Sequence, residues 1–211
     1  ILQCASSQKG LDMIGVIDCH SPEVLVEIEG LLKRGEMIEL AEGGLRFQET
    51  TLLLGSEIEV YDSYCHGPIH VLAYFPTVEK MKAFSDWMSN HVKNISLSSQ
   101  RIYVEGRALQ QKVYEYDGLF VPAHVFTPFK SLYGKGVKRS LTEVFDPNYI
   151  DAIELGLSSD TQMVRNIKEL QQYPFLTNSD AHSLGKMARE YQKLTLKDAN
   201  FNELKKALRN E

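Results

Sequence analysis

The chain has 211 residues, 43% hydrophobic and 24% charged, with a net charge of −5. That is enough apolar material for one substantial core, and the acidic balance carries no bulk signal for nucleic-acid binding, which would have to rest on a local basic patch. No apolar run approaches the roughly 18 to 20 residues of a membrane span and no charged-then-apolar leader is evident. The three cysteines (Cys4, Cys19, Cys65) form no C-x-x-C pair, so the expectation is a cytoplasmic protein with reduced thiols and no membrane partner.

The first residues read as helix and lead into an apolar strand, "MIGVID" (13–18). In "SPEVLVEIEGLLKRG", Ser21 stands at a helix cap, Pro22 suits the first helical position, and Val24, Leu25, Ile28, Leu31 and Leu32 share a face. Two strands follow, 50–62 and 69–75, and Thr77 then caps a helix with Val78, Met81, Phe84, Trp87, Met88 and Val92 near helical spacing. "ALQQKVYEYDG" predicts a helix closed by Gly118. After it come a strand at 119–126, a long loop, a strand at 149–157, and a helix through Met163, Ile167 and Leu170. A strand in "PFLTNSDAH" and a final helix, "NFNELKKALRN", complete the series. No internal repeat or linker divides the chain, so a single domain over 1–211 is expected. Alternating strands and helices imply parallel pairing with right-handed crossovers. Six apolar strands suit a closed or nearly closed barrel, with an open doubly wound sheet as the alternative.

Ligand-type residues cluster at these strands. Asp18 and His20 end the first, Glu57 and Glu59 lie in the second, and His70, His124, and the pair Asp180 and His182 fall in others. In a parallel barrel, active sites are built at the C-terminal rim from different strand ends. Imidazoles and carboxylates are ligands for zinc, manganese or iron, and Glu57 and Asp180 are candidates to bridge two ions. One buried histidine is ordinarily a satisfied core group; four of six at strands is the stronger signal. His91 reads as surface, His66 as a loop residue, Glu59 as a neighbour on the same sheet face as Glu57, and Cys19 as a packed thiol. The segment 124–140 interleaves Phe126, Phe129 and Tyr133 with Lys130, Lys135, Lys138 and Arg139, a composition suited to stacking on bases and holding phosphates. A solvated loop with packed aromatics is the plainer alternative. Arg189 is a further phosphate contact, or else the partner of a nearby carboxylate.

The set "VIDCH", "GSEIE", "IHVLAYF", "PAHVFTP" and "NSDAHS" resembles the polymerase-and-histidinol-phosphatase (PHP) superfamily of metal-dependent phosphoesterases. Within it, "AHVFTPFKSLYGK", "IELGLSSD" and "TNSDAHSLGKMARE" look like the endonuclease Q branch, which acts on DNA containing deaminated bases. The resemblance implies a distorted (β/α)7 TIM-like barrel with two or three divalent ions (Zn, Mn or Mg) at its rim. It matches Glu57 to a bridging glutamate, His70 and His124 to ligands of the shared metal, and Asp180 and His182 to the last motif's pair; at "VIDCH" either Asp18 or His20, or both, would coordinate. Glu57, Asp180 and His182 are the residues expected to carry catalysis.

The family's first motif, H-x-H on the first strand, has no counterpart before Ile14. The expectation is that this first strand and a C-terminal DNA-engaging region are missing from the sequence. The implied chemistry is hydrolysis of a phosphodiester in DNA by metal-activated water, as in repair of damaged bases. The 126–139 loop would grip DNA and contact a displaced base. A PHP phosphatase acting on a small phosphate monoester and a non-catalytic DNA- or protein-binding barrel are the alternatives.

Overall fold

A computed structural model describes residues 1–209. The chain starts with α1 (Leu2–Ser7), β1 (Met13–Val16) and α2 (Pro22–Lys33). A small hairpin of β2 (Ile38–Glu39) and β3 (Leu45–Phe47) leads into the longest strand, β4 (Thr50–Val60), and then β5 (Ile69–Phe75). Helix α3 (Val78–Ser89), β6 (Arg101–Ile102) and α4 (Gly106–Glu115) come next, followed by β7 (Leu119–Pro122). The last part holds β8 (Ile153–Glu154), α5 (Thr161–Val164), β9 (Phe175–Leu176) and α6 (Phe201–Arg209), joined by short 3-10 and π turns. Asn210, placed in the predicted last helix, lies outside the described residues.

The sheet is mixed and curled into a half-barrel, in place of the all-parallel pairing expected. β4 organises it, pairing in parallel with β1 and β6 and antiparallel with β3 and β5. β8 and β9 pair in parallel as a separate ribbon. The departures have plain causes. β4 and β5 are joined by residues 61–68 with no helix between them, so the chain turns back on itself. Between β5 and β7 the chain passes through α3, β6 and α4, and β6 pairs with the far end of β4 at Glu59 and Val60. It therefore travels up and back, and β7 enters antiparallel to β5.

The period of two along each strand divides the core. Leu52, Leu54, Ile58, Val71, Ala73, Phe75 and Phe120 face outward into the main cluster. There they meet Leu25 and Ile28 of α2, Met81, Phe84 and Met88 of α3, and Leu109 and Val113 of α4. Leu53, Leu72, Leu119 and Val121 face the inside of the half-barrel, together with Leu176 and α6's Phe201, Leu204 and Leu208. α6 covers the end where β4 begins: the Phe201 amide donates to Gly43 O (3.0 Å), and Thr51 Oγ1 donates to Ala199 O (2.6 Å).

Capping follows the sequence at Thr77, whose Oγ1 accepts from Lys80 N at 3.2 Å. Ser21 stands at the cap of α2, but its hydroxyl donates to Glu23 (2.6 Å) instead of accepting a backbone amide. At the end of α4 the left-handed residue is Asp117 (φ 60), not Gly118. Gly118 is needed for space, because a Cβ there would lie 2.8 Å from both Tyr74 O and Val113 Cγ1. The helix predicted through Met163, Ile167 and Leu170 is only α5 and a 3-10 turn. Cys19 is a packed thiol that donates to Val16 O (3.1 Å). No helix of the described residues is long and apolar enough to cross a membrane.

Candidate metal centre

Glu57 and Glu59 lie on the inner face of β4, in step with Leu53 and Gly55. β5 runs the opposite way, so its first residues, not its last, reach the same rim. His70 is thereby the direct cross-strand partner of Glu59. His124 follows β7, whose direction matches β4, and arrives at that rim from below. It sits in a left-handed conformation (φ 31), and its amide donates to Glu154 Oε2 at 2.8 Å. Its close neighbour Gly156 (φ 75) admits it: a Cβ at Gly156 would lie 2.7 Å from His124 Cβ.

Glu57, His70 and His124 each present a ligand atom, and these atoms lie within 4.8 Å of one another. Glu57 Oε1 is 3.0 Å from His70 Nδ1, and the two imidazole rings meet edge to face at 5.3 Å. With Nδ1 carrying the proton toward Glu57, His70 Nε2 holds a lone pair. That nitrogen is buried and has no hydrogen-bond partner among the described residues, with Glu59 Oε2 at 3.7 Å. Asp18 Oδ1 is likewise buried and unpartnered. An orphaned acceptor within the Glu/His/His cluster, and a second on Asp18 in the cleft that Glu57 also lines, are what divalent cations would satisfy, so these residues fit a metal.

The electrostatics favour a charged Glu57. Burial pushes its carboxyl up, but in the metal-free protein the hydrogen bond from His70, the Ser99 hydroxyl and the charge that His70 and His124 carry when protonated outweigh this and bring it down to about 2. Burial and the neighbouring His70 lower His124, keeping it neutral as a ligand must be. Asp18, Glu57, His124, Glu154, Asp180 and His182 all line one cleft of about 1630 Å³.

No protein-family model matches the chain. The uncharacterised protein YqxK of Bacillus subtilis is 59% identical over all 211 residues, which make up 54% of its length. The uncharacterised protein MJ0043 of Methanocaldococcus jannaschii is 39% identical over 93 residues, 40% of this chain and 11% of its own length. The lesion-specific endonuclease PfuEndoQ of Pyrococcus furiosus superposes with a TM-score of 0.82 at 30% identity, over 98% of this chain and 50% of that one. The chain is endonuclease Q-like. An endonuclease Q complex with a 27-mer duplex carrying an abasic lesion at the active site gives 0.79 at 28% identity, over 96% and 49% of the two chains. The endonuclease Q-like chain thus spans about half the length of YqxK and of these structures. A protein of Bifidobacterium adolescentis, proposed to be a metal-dependent phosphoesterase, shares the fold at 12% identity and a TM-score of 0.54.

In this endonuclease Q-like half-barrel the remaining predicted ligands are dispersed. His20 is fully buried away from the cluster, with Nδ1 bonded to Ser56 Oγ (2.9 Å) and Nε2 to Leu97 O (3.3 Å). Both nitrogens are engaged by protein, and burial lowers its pKa. This leaves Asp18 as the donor of that pair facing the cleft. Asp180 and His182 lie beyond β9 in irregular chain, exposed, with Asp180 at φ 44. They line the cleft, but not on the extended strand that was expected. Arg189 donates to Ser179 O (2.7 Å) and Asp180 O (3.1 Å), so it holds the backbone of that segment.

The 124–140 loop also divides. Phe126 stacks on Tyr133 at 5.3 Å against the core, and Tyr133 donates to Glu169 (2.9 Å). Phe129 is exposed, with Lys135 Nζ 5.1 Å above its ring. Lys130 pairs with Glu59 at 3.0 Å, whereas the backbone amides of Lys138 and Arg139 donate to Glu143.

Two further residues contact the cluster, Glu154 and Ser99. Glu154 is buried on β8, accepts from His124 N and from Asn178 Nδ2 (2.7 Å), and is pushed up to about 7 by burial, with Glu57 and Asp180 adding to the shift. Ser99 donates its hydroxyl to Glu57 Oε1. A lone carboxylate in an apolar run, "AIELGL", was the available signal for Glu154; the serine-rich loop holding Ser99 carried none.

Proposed function

We propose that the chain is the metal-binding barrel of a DNA endonuclease that hydrolyses a phosphodiester at deaminated or otherwise damaged bases. One observation carries this reading: the Glu57–His70–His124 cluster lies at the rim of a fold that matches a lesion-specific endonuclease at a TM-score of 0.82. The same likeness supports a distorted (β/α)7 barrel within a longer protein acting on DNA in the cytoplasm, with residues 1–211 as one domain of it.

Bound divalent ions, two or three of zinc, manganese or magnesium, supply Lewis acidity to a phosphodiester oxygen and acidify water. Glu57, His70 and His124 would hold one ion, and Asp18, Asp180 and His182 are the donors for others across the cleft. The Ser99 hydroxyl fixes the Glu57 carboxylate, and Glu154 fixes the turn that presents His124. Such outer contacts orient ligands and tune their affinity. Arg189 holds Asp180 in place through the backbone. Lys135, Lys138, Arg139 and the exposed Phe129 remain available to DNA on the neighbouring loop.

The test uses the full-length natural protein. Metal content and cleavage of duplexes containing deoxyuridine, deoxyinosine or an abasic site are measured together, with p-nitrophenyl phosphate as the monoester control. Glu57→Gln and His70→Ala are expected to lose bound metal and strand cleavage together. Retention of both in either variant would overturn the site. Monoester hydrolysis with every duplex left intact would overturn the endonuclease and favour a small-molecule phosphatase.

A further inference from the structure

We propose that Tyr61, Arg101 and Tyr103 form a stacking platform for an unpaired nucleotide of the strand whose phosphodiester lies at the metal centre. The proposal rests on the endonuclease reading and extends it to a surface outside the metal cluster and outside the 124–140 loop. It starts from register. Glu57 and Glu59 alternate along the inner face of β4, and Tyr61 is the next residue of that alternation. Arg101 on β6 is the direct partner of Glu59, with Ser99 and Tyr103 two residues to either side. Two rows therefore run outward from the centre, Glu57–Glu59–Tyr61 and Ser99–Arg101–Tyr103. Ser99 joins them at the inner end through its bond to Glu57. Four residues along β4 at about 3.3 Å each place Tyr61 roughly 13 Å from Glu57, within the span that a strand-tracking groove covers.

At the outer end the contacts are cationic and aromatic. The Arg101 guanidinium lies 4.6 Å from the Tyr61 ring centroid and 5.4 Å from that of Tyr103, and Lys93 Nζ is 5.9 Å from the Tyr103 centroid. Tyr61 is 38% exposed and Tyr103 53%. Arg101 gives one hydrogen bond to Tyr61 O (2.6 Å) and makes no ion pair among the described residues, leaving its other N–H groups for an anion. Glu59, the nearest carboxylate in register, is already paired with Lys130. In a chain of net charge −5, an arginine and a lysine that make no ion pair among the described residues, set over exposed tyrosines, match the two parts of a nucleotide: the phosphate, and the base face that a duplex hides.

The experiment scans 2-aminopurine across the positions flanking the cleaved phosphodiester and measures affinity and fluorescence with the metal-loaded full-length protein. The wild type is expected to quench the probe at one flanking position. The Tyr61→Ala/Tyr103→Ala double variant should weaken binding roughly 5- to 100-fold and lose that quenching. The Phe/Phe counterpart should keep both, separating stacking from hydroxyl bonding and controlling for folding. Arg101→Gln should reduce the salt slope of binding by about 0.7 to 0.9. Wild-type affinity and quenching in the double alanine variant would overturn the platform while leaving the endonuclease standing. A wild-type protein that neither binds nor cleaves damaged DNA would overturn the endonuclease reading, and the platform with it.

Discussion

Glu154 makes the stability of the metal-free protein depend on pH in a calculable way. Its carboxyl is 5% exposed and is pushed up from 4.5 to about 7, mainly by burial. Between those values the unfolded chain gives up this proton while the folded chain keeps it. The stabilising difference is therefore complete below pH 4.5 and is lost as pH rises through 7. A shift of this size corresponds to roughly 3 kcal/mol at about 1.4 kcal/mol per unit. Other groups act differently. His20 and His124 are lowered by burial, so they add stability as pH rises toward 6.5. Glu57, depressed to about 2, contributes stability that is lost only below pH 4.5 and is constant across this window. The wild-type curve is the sum of these opposing slopes, so the informative quantity is the difference from Glu154→Gln. Replacing one carboxylate oxygen by an amide adds a misfit toward Asn178 or His124 N, but that offset does not change with pH. Urea unfolding of both proteins in chelator, followed by circular dichroism at pH 4.5, 6 and 8, measures it. The variant should gain about 3 kcal/mol on the wild type from pH 4.5 to 8. A difference that stays flat with pH would refute a buried, protonated Glu154.

Three further outcomes are expected. Ser99→Ala, which removes the hydroxyl from Glu57, should lower metal affinity about 10- to 100-fold with little change in melting temperature, read by metal titration and calorimetry. Gly55→Ala puts a Cβ 2.8 Å from Tyr74 Cε1 and 3.0 Å from Val16 O, and should destabilise by about 1–3 kcal/mol in thermal or urea unfolding. Phe126→Ala should destabilise by about 1–3 kcal/mol because the ring packs on Tyr133 and the core, whereas the exposed Phe129→Ala should stay within about 0.5 kcal/mol, by the same unfolding measurements.

Much of the site was legible because its chemistry is carried by rare residue types at recognisable places. Strand-associated histidines and a family motif single out Glu57, His70 and His124, and the fold brings them together. His20 satisfied the same rule and is a core histidine instead, since its position on a strand end says nothing about Ser56 and Leu97 closing on both nitrogens. Pairing direction was not legible, because the apolar pattern of β5 is the same whichever way it runs. Direction decides that His70 reaches the rim as an early residue of its strand. Glu154 escaped because one carboxylate among apolar residues has no periodic signature. The aromatic and basic loop at 124–140 misled in part: composition cannot tell that Phe126 and Tyr133 pack inward while Phe129 stays out.

The Glu59–His70 pairing has a consequence for how this region can vary. The connection at 61–68 can lengthen or shorten without moving either residue relative to the other. A single insertion within β5 is different. It would force the strand to choose between keeping Val71, Ala73 and Phe75 in the core and keeping His70 at the rim. Insertions should thus be admitted at the turn and refused in the strand, and the apolar residues on its outer face act as the ruler that keeps His70 within the Glu57–His70–His124 cluster.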